Sequence, residues 1–167
     1  MKKKIGLMIV VSLLMLSGCA TSKYDLVLEQ IKDEENSENV EILTMQEIED
    51  SVAVISKTQG GAVKKWLFFI SDYTISSSYP GEELRMDEIQ LATICNQTEC
   101  DSILYINAEQ LRAIDVRYPL MDRKEGSIFF HQELSQKCHI LVHRIPLDYG
   151  SNPEITKYGP EGNILEQ

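Results

Sequence analysis

A pair of adjacent glycines, Gly60-Gly61, joins two stretches of β-forming residues and constrains the fold more than any other feature of this chain. The stretch before the pair covers residues 52–59, and the stretch after it covers residues 62–70. Glycine adopts the positive φ angles of a two-residue hairpin turn at little steric cost, so this pattern predicts an antiparallel β-hairpin.

A two-residue turn implies a register that places Ile55 opposite Trp66, which is a favourable cross-strand pair. The same register places Lys57 opposite Lys64, where like charges repel each other mildly. Residues 66–70 are apolar at every position. Because a strand that is apolar on both faces is typical of the interior of a sheet, we expect the second strand of this hairpin to be central.

Further strands are predicted where apolar and β-branched residues run between turn signals. They cover residues 89–94, 103–106, 115–121, 127–131 and 138–145. These strands do not alternate with long helices, so a parallel α/β sheet is not expected. The sequence predicts a mainly β fold, with α+β as the alternative. In this fold an antiparallel sheet forms a small sandwich or a partly open barrel with one or two short helices.

Two short helices are predicted from capping signals. Thr44 and Glu47 fit a capping box, which indicates one or two helical turns over residues 45–50. Residues 107–114 begin with an asparagine that can cap a second helix. Residues 76–81 are rich in serine, proline and glycine and predict a loop.

Three cysteines lie beyond the N-terminal segment: Cys95, Cys100 and Cys138. The polar residues between the first two predict a hairpin loop, in which Cys95 and Cys100 lie opposite each other and can form a disulfide. Closing so small a ring contributes about 2 kcal/mol in the chain-entropy model. A bridge to Cys138, or no bridge, stays an alternative, and three cysteines leave at least one thiol free. Asn96-Gln97-Thr98 fits a glycosylation sequon, which we interpret as turn chemistry.

The N-terminal segment combines a positive region, an apolar stretch and a cysteine in that order. Lys2-Lys3-Lys4 is followed by residues 5–16, which are apolar except for Gly6 and Ser12. This stretch is shorter than the roughly 20 apolar residues that span a bilayer, and its length is typical of a secretory signal peptide. It ends in Leu16-Ser17-Gly18-Cys19, which resembles the lipobox of bacterial lipoproteins, where an aliphatic residue and two small residues precede a cysteine.

The resemblance implies that residues 1–18 are a removed signal peptide and that Cys19 is the lipidation site. Its thiol would carry a diacylglycerol, and its new amine is often acylated in this family. Two or three acyl chains anchor a protein stably, because each buried CH₂ contributes about 0.8 kcal/mol and one chain alone is marginal. Since Ala20 follows the cysteine, the resemblance implies an outer-membrane location facing the periplasm if the organism has two membranes.

The segment after the cysteine is expected to be a tether. Six acidic and two basic residues occupy positions 20–39, which favours a solvated, extended chain and makes residues 19–39 a lipidated cysteine with an acidic tether. An alternative is a short amphipathic helix capped by Ser22, because apolar residues recur from Tyr24 to Ile31 at helical spacing. Such a helix would lie on the membrane or dock on the domain.

The remaining boundaries follow from composition. The β-rich globular domain is predicted over residues 40–145, where the strand patterns lie. Residues 146–167 contain three prolines and three glycines and are predicted to be an irregular tail.

The charge of the chain excludes one class of partner. The full chain has 16 basic and 26 acidic residues and a net charge of −10. Removing residues 1–18 takes away three basic residues and no acidic ones, which leaves a net charge of −13. A domain this acidic is repelled by phosphate backbones, so nucleic acid is not expected as a partner.

The sequence contains none of the motifs of serine hydrolases, zinc metalloproteases, phosphate-binding loops or dinucleotide-binding turns. His131, His139 and His143 lie near Cys138 and Glu133 in the sequence, which suggests a metal site at first sight. On a strand, however, His139 and His143 lie about 13 Å apart, too far to share one ion. We therefore expect no metal and no cofactor, and interpret the histidines as three partly exposed imidazoles on an outer face.

The leading functional interpretation is a lipid-anchored, non-catalytic cell-envelope protein. Its small β-rich domain would bind another envelope component, in the simplest case an envelope protein. One alternative is an inhibitor of an envelope hydrolase such as a lysozyme, because an acidic surface attracts a basic enzyme. A second alternative is a cell-wall or lipid hydrolase that carries none of the familiar motifs.

Overall fold

The computed structural model describes residues 22–72, 74–121, 126–150 and 152–166. Within these residues the chain forms one helix, α1 (Lys23–Glu35), and eleven strands in antiparallel sheets, which confirms the predicted mainly β class. The strands are β1 (Val40–Ile48), β2 (Ser51–Thr58), β3 (Val63–Ser71), β4 (Thr74–Glu83), β5 (Glu88–Cys95), β6 (Glu99–Asn107), β7 (Ala113–Pro119), β8 (Ser127–Glu133), β9 (Cys138–Pro146), β10 (Glu154–Tyr158) and β11 (Ile164–Glu166).

The predicted signal peptide, residues 1–18, and the predicted lipidation site, Cys19, lie outside the described residues. Among the residues that the structure does describe, α1 is too short and too polar to cross a bilayer, and no other helix is present to do so.

The strands form three sheets that stack as layers. Sheet 1 has the order β1-β2-β3-β4, sheet 2 the order β5-β6-β9, and sheet 3 the order β11-β10-β7-β8. Separate apolar clusters join α1 to sheet 1, sheet 1 to sheet 2, and sheet 2 to sheet 3. Sheet 2 is therefore the middle layer, and every residue of β6 from Cys100 to Asn107 is buried. The described part of the chain is a layered sandwich and contains no closed barrel.

The predicted hairpin around Gly60-Gly61 forms as β2 and β3, but its turn is one residue longer than predicted. The Thr58 N–H donates to the Ala62 carbonyl at 3.0 Å, which leaves three residues in the loop. Gly61 has a φ of 86°. A left-handed last residue is typical of a three-residue hairpin loop, so the glycine pair serves a different turn from the one that its pattern predicts.

The longer turn shifts the register of the hairpin by one residue. Trp66 lies opposite Val54 instead of Ile55, and Lys64 lies opposite Ser56 instead of Lys57. The predicted repulsion between two lysines is therefore absent from this pair. The prediction that β3 is central is confirmed, because β3 lies between β2 and β4 and packs against α1 on one face and sheet 2 on the other.

Both helices predicted within the domain are wrong. Residues 45–48 belong to β1, whose ladder with β2 outweighs the capping-box signal. Residues 107–114 end β6, form a loop and begin β7. The first backbone N–H groups of that loop are bound by the Asp87 carboxylate, whose Oδ1 accepts from Glu109 at 2.7 Å and from Gln110 at 2.8 Å. The local sequence resembles a helix start, but its N–H groups are bound by a residue that is distant in the sequence, and no helix forms there.

The loop predicted over residues 76–81 is instead the middle of β4. This strand lies at the edge of sheet 1 and pairs with β3 through a ladder that contains two irregularities. An edge strand tolerates Pro80, because the missing N–H is not needed for a second ladder.

Residues 23–35 are a docked helix and not the predicted extended tether. Val27 and Ile31 have no solvent exposure and pack in the apolar cluster between α1 and sheet 1. The Ser22 hydroxyl caps the helix by accepting a hydrogen bond from the Asp25 N–H at 3.1 Å. The alternative of a docked amphipathic helix capped by Ser22 is therefore confirmed.

The tail predicted to be irregular over residues 146–167 contains β10 and β11. β10 pairs with β7 from Glu154 opposite Arg117 to Tyr158 opposite Ala113, and so extends sheet 3. Pro146 is the last residue of β9, and the other prolines and the glycines of this segment lie outside the strands, which explains why composition alone predicted an irregular segment.

Candidate functional site

A groove of about 490 Å³ opens between sheets 1 and 2. The edge strands of the two sheets, β4 and β5, bound it on its open side. On the opposite side of the layers β1 and β2 contact β9, so the sheets are closed there. The groove is thus a consequence of how the two sheets stack.

The lining of the groove is mostly apolar and aromatic. β3 contributes Lys65, Leu67 and Phe69 from one face, because side chains on a strand alternate between its two faces, and Trp66 also lines the groove. β5 contributes a continuous run because it is an edge strand, exposed along its side. The lining side chains come from four strands: Lys65, Trp66, Leu67, Phe69, Tyr79, Pro80, Glu82, Leu91, Ala92, Thr93, Ile94, Cys95 and Tyr105.

Tyr79 is the most exposed aromatic residue of the groove. Its side chain is 62 % exposed, and its ring centroid lies 6.1 Å from that of Phe69 at an interplanar angle of 59°. An exposed tyrosine that rests against a less exposed aromatic ring offers a large, rigid contact surface with one polar end. Such residues are enriched among the anchors of protein–protein interfaces.

Lys65 and Glu82 are the two charged residues of the groove lining, and they pair with each other. Lys65 Nζ lies 2.9 Å from Glu82 Oε2 and 5.6 Å from the centroid of the Tyr105 ring. The lysine side chain is 15 % exposed and the glutamate 65 %. The cation is therefore enclosed, and the rim presents the carboxylate to solvent.

The floor of the groove is neutral. The Tyr105 hydroxyl donates to the Trp66 carbonyl at 2.9 Å, and burial raises the pKa of Tyr105 well above its usual range. Thr93 supplies a hydroxyl, while the sulfur of Cys95 is held in a disulfide. A neutral floor with an apolar and aromatic lining suits the binding of an apolar or amphipathic group.

The predicted disulfide between Cys95 and Cys100 is present in the structure, which confirms this pairing. The two cysteines face each other at the end of the hairpin of β5 and β6. Asn96 Oδ1 accepts hydrogen bonds from the backbone N–H groups of Thr98 at 2.8 Å and Glu99 at 3.0 Å. This confirms the interpretation of the sequon as turn chemistry.

Cys138 is a buried free thiol, so the alternative bridge to it is not formed. Its Sγ lies 3.9 Å from Asn107 Oδ1, and burial raises the pKa of the Cys138 thiol. A buried thiol with a raised pKa reacts slowly, since the thiolate is the reactive form.

Thiol counting checks this assignment. In a soluble version that begins after Cys19, we expect non-reducing mass analysis to show one intramolecular disulfide and one free thiol. An alkylating reagent should label that thiol slowly in the native protein and rapidly in urea, because Cys138 is 7 % exposed. Three free thiols, or fast labelling of the native protein, would contradict the assignment.

The three histidines do not share an outer face, which corrects the prediction. His131 lies 2.6 Å from Asp115, and His139 Nε2 lies 2.8 Å from the Gln136 carbonyl oxygen. His143 is half-buried between sheets 2 and 3, where its ring stacks on Phe130 with 4.0 Å between centroids. Within the ranges that the structure describes, no group of three or more histidine, cysteine, aspartate or glutamate residues could hold a metal ion.

His143 belongs to a polar contact inside the layered core. The Tyr118 hydroxyl donates to Ser102 Oγ at 2.8 Å and lies 3.0 Å from His143 Nδ1. Burial lowers the pKa of His143 below its usual value. The neutral imidazole is therefore the form that the folded protein favours.

The stability of the protein should fall as the pH is lowered through the range in which His143 is protonated in the unfolded chain. In the unfolded chain His143 is protonated near pH 6.5, whereas in the folded protein its pKa is lower. The unfolded state therefore binds more protons, and the free energy of unfolding declines from about pH 7 downwards. Urea unfolding at pH 7.5, 6.5 and 5.5 measures this. In His143→Gln the slope should be smaller, with His139→Gln as the control. An identical slope in His143→Gln would show that another group causes the decline.

A second concavity of about 710 Å³ lies at the end of sheet 3 and contains a histidine oriented by a carboxylate. His131 Nδ1 lies 2.6 Å from Asp115 Oδ1, and the Tyr158 hydroxyl donates to Asp115 Oδ2 at 2.6 Å. The hydrogen bonds from Tyr158 and His131 hold the pKa of Asp115 below its usual range. With Nδ1 engaged, Nε2 of His131 is the atom that could hold or move a proton.

Sequence reasoning missed both concavities. Tyr79 was predicted to lie in a loop, and the contact between Asp115 and His131 depends on the register of β7 and β8. Asp115 and His131 each lie eight positions from residue 123, inside the turn predicted at residues 122–126, and this spacing is the signal that could have placed them opposite each other. Comparisons of the chain with protein families, with curated proteins and with solved structures gave no match.

Proposed function

We propose that this chain is a lipid-anchored, non-catalytic cell-envelope protein whose β-rich domain binds an extended segment of another envelope protein in the groove between β4 and β5. The observation that carries this proposal is the open groove, which combines an exposed aromatic residue, an apolar lining and two edge strands. The resemblance of residues 16–19 to a lipobox supports the lipid anchor.

An extended segment is the occupant that fits the edges of the groove. Edge strands carry backbone N–H and C=O groups that lack a second strand to pair with, and an incoming strand can use them. Alternate side chains of such a segment would then enter the groove. The surrounding charge adds a preference, because Glu82 and Glu83 at the end of β4 are exposed. A segment with alternating apolar residues and a basic residue near one end is complementary to this site.

Site-specific photo-crosslinking in intact cells tests the proposal. A photoreactive residue at Thr93, which lines the groove, should form a discrete adduct with one envelope protein. Tyr79→Ser should reduce the adduct about tenfold or more, since an interface tyrosine contributes on the order of 2 kcal/mol. Met86→Ser is the matched control, because Met86 is 64 % exposed against 62 % for Tyr79 and does not line the groove.

Two results would contradict this proposal. An adduct that is equally abundant in Tyr79→Ser and in the parent would show that the groove does not determine binding. If Met86→Ser reduces the amount of adduct as strongly as Tyr79→Ser does, the loss reflects a general change in structure and not a lost contact in the groove.

A second candidate function, inhibition of a basic envelope hydrolase, is supported by the distribution of charge. Residues 23–50 contain ten acidic and two basic residues, a net charge of −8, and they form α1, β1 and the turn that follows. This one side of the domain would attract a basic enzyme such as a lysozyme. Titration of the soluble domain against a basic muramidase distinguishes the two candidates, because only an inhibitor reduces turnover in proportion to its concentration.

A further inference from the structure

We infer that the lipid anchor holds the domain upright on the membrane, with one defined end facing the bilayer. This inference rests on the lipid anchor of the proposed function. We call the membrane-facing end the anchor pole and define it by Ser22, the turn Glu49-Asp50 and the disulfide hairpin loop of residues 96–99. The opposite end, the distal pole, contains the loop Gly60-Gly61.

The distance between the lipid and the folded domain is short. α1 begins at Lys23, and its cap Ser22 is three residues after Cys19. Three Cα–Cα steps of 3.8 Å span at most about 11 Å. A flexible tether over residues 20–39 would instead have a root-mean-square reach of about 25 Å. The docking of α1 therefore removes most of the freedom that the sequence predicts for the domain.

The start of α1 is fixed to the rest of the fold. Lys23 Nζ lies 2.6 Å from Glu47 Oε2 near the end of β1. One and two helical turns further on, Val27 and Ile31 are fully buried against sheet 1. The point from which the lipidated cysteine extends is thus part of the rigid domain.

Contacts between sheets 1 and 2 show that the disulfide hairpin lies at the same pole. Arg144 Nη2 lies 2.8 Å from Glu49 in the turn after β1, and Arg144 Nε lies 2.8 Å from Asp101 next to the disulfide. The Leu147 N–H donates to the Thr98 carbonyl in the hairpin loop at 3.3 Å. The turn of sheet 1 and the hairpin of sheet 2 therefore end side by side.

The other end of α1 marks the distal pole. Lys64 Nζ lies 2.6 Å from Glu35 in the last turn of the helix. Asn39 Nδ2 donates to Gln59 Oε1 at 3.2 Å, which places the loop at Gly60-Gly61 beside the helix C-terminus. Since β2 has eight residues at about 3.3 Å each, the two poles lie about 25 Å apart along sheet 1.

Charge disfavours the alternative in which the domain lies on its side. A short link at the start of α1 allows the domain to tilt onto the outer face of that helix. Asp25, Glu29 and Asp33 are exposed there. Anionic headgroups repel these carboxylates over a Debye length of about 8 Å at physiological salt. The upright orientation moves Glu29 and Asp33, about two and three helical turns beyond Ser22, away from the bilayer and directs the distal pole to any partner beyond the membrane surface.

Energy transfer in vesicles tests the orientation. The full, lipidated chain with Cys138→Ala is reconstituted in phosphatidylethanolamine and phosphatidylglycerol that carry a headgroup acceptor. A donor dye is attached at Asp50→Cys on the anchor pole or at Gly60→Cys on the distal pole, where the nearest atom to an added Cβ is 3.9 Å away. We expect transfer to be at least about threefold more efficient from position 50, because the poles differ in height by about 25 Å.

A linker variant and a flotation assay make the outcomes separable. Inserting about 20 glycine and serine residues after Ala20 should make the two transfer efficiencies converge, because the domain then tumbles freely. Flotation of the parent chain with equal transfer from both positions would overturn the orientation and leave the lipid anchor in place. Failure of the processed chain to float with vesicles would overturn both the anchor and the orientation.

Discussion

Replacing Ile31 with aspartate is expected to release α1 from sheet 1 and to lower the free energy of unfolding by about 3–5 kcal/mol. Ile31 is fully buried between the helix and the sheet, beside Val27, Trp66 and Phe68. A carboxylate at this position has apolar neighbours, and a buried charge without a partner costs energy of this size. An isolated helix of this length is marginal in water, so α1 should unfold once it no longer packs.

Urea unfolding and limited proteolysis measure the two parts of this expectation. In the parent protein, residues 23–35 should resist proteases, whereas Ile31→Asp should be cut within them first. Tyr24→Asp is the matched control on the same helix, because Tyr24 is 43 % exposed and a surface change typically alters stability by about 0.5 kcal/mol or less. Equal resistance of Ile31→Asp and Tyr24→Asp would contradict the docking of α1.

Local patterns predicted most strands of this fold because their signals lie within the strands themselves. Residues 66–70 are apolar on both faces, and β3 is indeed covered by α1 and by sheet 2. The spacing of Cys95 and Cys100 predicted a hairpin in which they face each other, and the structure contains both the pairing and the disulfide. A strand was predicted over residues 138–145 and occurs as β9, which extends one residue further to Pro146.

Features that depend on distant residues were not predictable in the same way. The charge of residues 20–39 favours an extended chain, and only the surface of sheet 1, built from β2 and β3, shows that Val27 and Ile31 have a place to be buried. The local pattern at residues 107–114 favours a helix, but this segment ends β6 and begins β7, and its N–H groups bind the carboxylate of Asp87, about twenty positions earlier. In both segments, residues 23–35 and residues 107–114, tertiary contacts override the local sequence preference.

The groove contains both kinds of feature, those that local sequence predicts and those that depend on distant residues. Phe69 and Ile94 were recognisable as strand residues, but nothing in their local sequence says that the two strands lie in different sheets that face each other. Tyr79 was assigned to a loop because serine, proline and glycine surround it, although an edge strand tolerates all three. A binding surface between two sheets therefore requires the stacking of the layers, which a single sequence does not reveal.

Replacing Trp66 with alanine is expected to lower the free energy of unfolding by about 3–5 kcal/mol, as is typical for a buried tryptophan. The side chain is 2 % exposed, its ring lies 6.0 Å from that of Phe68, and its Nε1 donates to Ser56 Oγ at 2.8 Å. The change leaves a cavity below α1. It also removes the hydrogen-bond donor of the buried Ser56 hydroxyl. Because Trp66 is the sole tryptophan of the chain, urea unfolding of this variant must be followed by circular dichroism.

The contact of Trp66 with Gly81 provides an independent check on the same packing. A Cβ added at Gly81 would lie 2.4 Å from Trp66 Cζ2, so Gly81→Ala should displace the indole and cost about 1–3 kcal/mol through overpacking. Gly60→Ala is the control, because the nearest atom to its added Cβ is Thr58 Oγ1 at 3.9 Å. The wavelength of tryptophan emission should differ from that of the parent protein in Gly81→Ala and should be unchanged in Gly60→Ala. If both alanine variants unfold at the parent's urea midpoint with unchanged emission, β4 does not cross the indole at Gly81 and the groove lacks the wall that this strand provides.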